Sequence, residues 1–162
     1  MNSREGGTVV TEADEVLARV RARADRAVRR AELAPGMTFE QVVEAVERAL
    51  RMRLRIVAET DTSGWGTLTG FVTSFGDRRE ASIHVRASDA AVYRQFAASH
   101  ELGHLLDDAH CAGSLHERSS VSPHDNPDLS TPEYEAELVA EHVAHRIARL
   151  LYASPRVAES SW

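Results

Sequence analysis

The sequence predicts an α+β fold in which a small antiparallel sheet packs against helices, and three observations predict it. Apolar residues recur at helical spacing on both sides of the chain's middle, the mark of amphipathic helices. Between residues 54 and 85 that spacing gives way to three short runs rich in β-branched and aromatic residues, each bounded by turn formers. The third observation is size: 162 residues, 43% of them hydrophobic, supply one core and are short for two independent ones. The expected organisation is an N-terminal Arg-rich helical segment over 1–36, a main domain over 37–152 and a tail over 153–162.

Thr11 suits the cap of a first helix, and residues 12–34 carry Val16, Leu17, Val20, Val28 and Leu33 at helical spacing. The six arginines in that stretch read as a solvated face and receive no function. Pro35 and Gly36 break the pattern. Thr38 with Gln41 three residues on forms a capping box, opening a second helix from Phe39 to about Met52 with Val42, Val43, Val46, Ala49 and Leu50 on its core face. Strands follow at Leu54 to Ala58, Thr67 to Ser74 and Ala81 to Val85, separated by turn-rich residues 61–66 and by Gly76 and Asp77. A third helix is expected from about Ser88 to Leu106, with Asp89 in its first turn and Val92, Phe96, Leu102, Leu105 and Leu106 as apolar positions. Residues 107–130 lack a period and read as a lid or loop. Thr131, Pro132 and Glu133 then supply a cap, a proline at the first helical position and an acid in the first turn. This fourth helix runs to about Tyr152, with Ala136, Val139, Ala140, Val143, Ile147 and Leu150 as its apolar stripe.

Composition narrows the function classes. A net charge of −6 argues against direct nucleic-acid binding, which needs clustered cations. No apolar run reaches membrane-spanning length, and no apolar stretch follows the polar residues Met1 to Gly7 as a secretory signal requires. The lone Cys111 cannot form an intramolecular disulfide, so a cytoplasmic location is expected. All nineteen basic residues are arginine, which reads as coding background.

Residues 100–104 carry the chemistry: His100-Glu101-Leu102-Gly103-His104. On a helix, two histidines four apart project from one side and can reach one metal ion, while the glutamate between them can act on a water that the ion holds. This is the H-E-x-x-H signature of the zincins. A chain of this composition meets it by accident roughly 0.04 times, so context must decide. Its expected place, late in the third helix, is where a zincin keeps it.

A catalytic zinc takes three protein ligands and leaves a fourth position for water. His110 stands at the metzincin offset from His100, but Asp107 replaces the glycine that lets that chain turn. The alternative is a glutamate on the fourth helix. On a helical wheel Glu133 lies about 70° from the centre of the apolar stripe and Glu137 about 110°, and a first-turn carboxylate is kept ionised by the helix dipole. Glu133 is therefore favoured, with Glu137 open. His110, His116, His124, His142 and His145 read as surface or packing histidines, and Gly103 as a point of close helix packing.

The segments from Phe96 to Leu106 and from Glu133 to Ala140 resemble the ImmA/IrrE-type zinc metallopeptidases, including small actinobacterial and phage-type members of toxin systems. The first is similar to the family's active-site helix and the second to its E-x-x-A-N/D helix, whose leading glutamate is a zinc ligand. The resemblance implies Zn2+ held by His100, His104 and Glu133, with Glu101 as the catalytic base. The register Glu137-Leu138-Val139-Ala140-Glu141 fits the second motif nearly as well. The implied activity is intracellular hydrolysis of a peptide bond in a regulatory protein, typically a helix-turn-helix transcriptional repressor. An extended substrate is expected to pair with the Ala81 to Val85 strand. The alternatives are a non-proteolytic zinc-containing partner acting by protein–protein binding, and a metal-free protein with an accidental string.

Overall fold

Capping chemistry decides where three of the four described helices begin. The computed structural model describes residues 11–75, 79–107 and 131–153. Thr11 and Asp14 close a capping box on α1 (Glu12–Arg30), Thr38 and Gln41 close another on α2 (Phe39–Leu50), and Thr131 accepts from the Tyr134 N–H ahead of α4 (Pro132–Leu151). α3 (Ala91–Leu106) starts after Ala90 with no side-chain cap, so Asp89 precedes the helix and is not in its first turn. α1 ends at Arg30, short of the expected residue 34, with Ala31 as its C-cap.

The three strands β1 (Arg53–Glu59), β2 (Gly70–Phe75) and β3 (Glu80–Arg86) form one sheet in the order β1-β3-β2. The sheet is mixed and not antiparallel as expected: β3 runs antiparallel to β2 but parallel to β1. The cause is the segment between β1 and β2. It crosses the end of β3, where Arg86 donates to the Leu68 and Gly66 carbonyls and the Ala87 N–H bonds Glu59 O. The chain thus skips one strand position, and β3 fills the gap on its return. Both backbone edges of β3 are therefore taken, which corrects the expectation that Ala81 to Val85 pairs with substrate. The outer edges of β1 and β2 carry no strand among the described residues.

Period-two alternation puts Ala81, Ile83 and Val85 of β3 inward against α3. α3 packs on α4, α4 on α1, and α2 on α3 and β1. Val16, Val20, Ala24 and Ala27 of α1 join the same buried cluster as Leu102, Val139, Val143 and Ile147, so the Arg-rich helix shares the core. Its arginines tie elements together: Arg23 donates to Asp107 at the end of α3 and to Glu135 on α4, and Arg19 reaches Glu135 as well. Three of the expected apolar positions, Leu17, Ile56 and Val92, are exposed. Among the described residues no helix is long and apolar enough to cross a membrane.

Candidate metal centre

The second half of α3 is buried on nearly every side, from Ala97 to Leu106, because sheet, α4 and α1 all press on it. Small side chains make this approach possible. A Cβ on Gly103 would stand 2.8 Å from the Ala140 Cα, 2.9 Å from its carbonyl oxygen and 3.1 Å from the Val143 Cβ. Gly103→Ala is expected to cost about 1–3 kcal/mol of stability, as overpacking does, and to lower the melting temperature of the metal-free protein accordingly. A melting curve within experimental error of wild type would refute the close-packing argument.

This close approach brings the string to α4. His100 Nε2 lies 3.2 Å from Glu137 Oε2, His104 Nε2 lies 3.3 Å from Glu137 Oε1, and the two Nε2 atoms are 3.1 Å apart. One ligand atom from each of the three residues lies within 4.8 Å of the other two, so His100, His104 and Glu137 can hold a metal ion. His104 is buried and His100 and Glu137 are half-buried. Glu133, the favoured third ligand, is exposed and is not part of this group; Glu137 takes its place. The wheel measured angles from α4's own stripe, but the site lies beside that stripe, along the seam with α3, where a residue well off the stripe's centre is the one that reaches. His110, His116 and His124 lie outside the described residues.

Glu101 sits on the sheet side of α3. A Cβ built on Gly70, the first residue of β2, would come 3.6 Å from Glu101 Cγ and 3.0 Å from the His84 carbonyl oxygen. Glu101 therefore lies against the start of an edge strand, a juxtaposition with no sequence signal. Glu141 was also missed as a functional residue, although its spacing of four from Glu137 could have found it. Its Oε2 is 3.4 Å from His100 Nδ1, the outer nitrogen of a candidate ligand, and its Oε1 is 3.0 Å from His145 Nε2. A carboxylate there fixes the tautomer and orientation of a ligating imidazole. His145 is exposed and also packs edge-on against Phe96, while His142 Nδ1 donates to the Leu138 carbonyl.

Electrostatics bind the cluster even without metal. Burial disfavours the charged form of His100, but the hydrogen bond to Glu137 and the charges of Glu101, Glu137 and Glu141 outweigh it and hold its pKa above the usual 6.5. Burial likewise opposes charge on Glu137, and its hydrogen bonds to His100 and His104 with their charges overcome this, holding it well below the usual 4.5. A raised folded-state pKa means that the His100 contribution is present below 6.5 and is lost as pH rises through the raised value. The Glu137 contribution is present above 4.5 and is lost as pH falls. A metal needs the neutral imidazole, so it competes with that proton. Any rise in melting temperature produced by an added divalent metal ion is accordingly expected to grow as pH increases from about 6 to 8; a rise independent of pH would contradict His100 as a ligand.

No protein-family model, no curated protein and no solved structure matches this chain.

Proposed function

We propose that the protein is an intracellular zinc-dependent endopeptidase that hydrolyses a peptide bond in a regulatory protein. The observation that carries this reading is the convergence of His100, His104 and Glu137 next to Glu101. Donors held at about 2.0–2.1 Å by a tetrahedral zinc stand about 3.3–3.4 Å apart, close to the 3.1 Å between the two Nε2 atoms and to the 3.2 and 3.3 Å from these to the two oxygens of Glu137. Two imidazoles and one carboxylate are a donor set that suits zinc. Three protein ligands are the number at catalytic zinc and four at structural zinc, and among the described residues three converge.

When bound, zinc lowers the pKa of the water it holds and polarises the scissile carbonyl. Glu101 would accept a proton from the attacking water on its carboxylate and pass it to the nitrogen of the leaving amine. Glu141 holds His100 through Nδ1 so that Nε2 stays aimed at the metal position. An extended substrate adds along the outer edge of β2, whose first residue, Gly70, lies against Glu101. A helix-turn-helix transcriptional repressor is the substrate class that the ImmA/IrrE resemblance implies.

The test is incubation of zinc-loaded protein with helix-turn-helix repressors from the same genome. The expected result is a single cut, abolished by a chelator and restored by zinc. Repressors all left intact at about one zinc per chain would overturn the proposed substrate.

A further inference from the structure

At the end of the sheet opposite Gly70, the last turns of α2, the start of β1 and the turn into β3 enclose a cleft of about 690 Å³. Arg48, Arg51, Arg53, Arg55 and Arg79 line it, and all five are exposed. None of their guanidinium groups has a hydrogen bond or ion pair among the described residues, whereas those of Arg19, Arg23, Arg86, Arg94 and Arg146 each hold a partner. In a chain of net charge −6, this is a local concentration of unpaired cations.

The backbone adds a second observation. Arg51, at the C-cap of α2, and Arg79, in the turn before β3, both adopt the left-handed conformation, with φ of 53° and 49°. The Arg53 N–H, two residues after Arg51, donates to the Arg79 carbonyl at 2.8 Å. Glycine takes such positions without strain, yet both carry arginine and both arginines line one cleft.

The chemistry of the lining selects the ligand. Guanidinium forks pair bidentately with carboxylates as well as phosphates. Glu44, Glu47 and Glu80 also line the cleft, which interrupts any continuous track for a phosphate backbone, and no aromatic side chain is there for bases to stack on. Glu47 is committed to the Leu54 N–H at 2.8 Å, which leaves the arginines in excess. The outer edge of β1 borders the cleft and carries no strand among the described residues, so an extended chain can bond to its main chain.

We infer that this cleft docks an acidic, extended segment of a partner protein, whose carboxylates pair with the five arginines. The inference concerns binding alone and stands apart from hydrolysis. The probe is a ten-residue polyglutamate peptide, with a ten-residue oligothymidylate as the competing polyanion, both measured against the full chain. Wild type is expected to bind the peptide with an affinity that falls as salt rises. The double substitution Arg51→Gly with Arg79→Gly is expected to weaken that binding by roughly tenfold or more, with the melting temperature unchanged or raised because glycine relieves both backbones. A second pair, Arg48→Gln with Arg55→Gln, removes charge at positions of ordinary backbone and is expected to weaken the peptide as well. Failure of wild type to bind the peptide, binding by both double variants as tight as that of wild type, or tighter binding of the oligonucleotide than of the peptide would each overturn the inference.

Discussion

Glu137→Ala is expected to abolish stable metal binding, while Glu133→Ala leaves it unchanged. Glu137 places Oε2 3.2 Å from His100 Nε2 and Oε1 3.3 Å from His104 Nε2, and its loss opens one corner of the donor set. The alanine variant also loses the anion that the buried His104 and half-buried His100 face, so the two imidazoles are left close together with less reason to stay so. Losing an outer-shell partner typically costs a metal site about 10–100-fold in affinity, and losing a ligand is expected to cost more. Glu141→Ala, which removes the partner of His100 Nδ1, provides the internal scale and is expected within that range. Competition with a chromophoric chelator measures all three. Full zinc affinity in Glu137→Ala together with loss in Glu133→Ala would restore the ligand set that the helical wheel favours.

Glu101→Gln separates the enzyme from the binding module. The amide preserves size and some hydrogen bonding but accepts no proton, so cleavage is expected to fall by about 10²–10⁴-fold, the range of a general base. Metal is expected to remain, because Glu101 is not one of the three converging residues. The variant that binds zinc and does not cut is the informative one. If it retained the full biological effect of wild type, the protein would act by complex formation and the proteolytic proposal would fail.

The parts of this reading that were legible in the sequence are those governed by local geometry. Thr11, Thr38 and Thr131 announce three helix starts because a capping side chain bonds within three residues of itself. His100 and His104 announce each other because a helix brings residues four apart together, wherever the rest of the chain goes. A glycine inside a helix, Gly103, announces close packing, and its partners are Ala140 and Val143. Strand pairing was not legible: each strand's alternation is the same whether its neighbour runs parallel or antiparallel, so β3's central place came only with the path of residues 60–69 across its end. Leu17, Ile56 and Val92 fit apolar patterns and remain exposed, because a pattern names a face but not whether another element covers it.

The sequence by itself determined that two imidazoles and a carboxylate share one helix, since that depends on spacing within a single element. Only the tertiary structure decided which residues complete the cluster. Gly103 lets α3 settle against Ala140, and at that separation Glu137 lies across the seam from both histidines while Glu133, a turn away, faces out. The same packing sets Glu101 against Gly70 at the start of an edge strand. Contacts between elements depend on how closely and at what register two surfaces meet, and the periodicity of either surface alone carries no record of it.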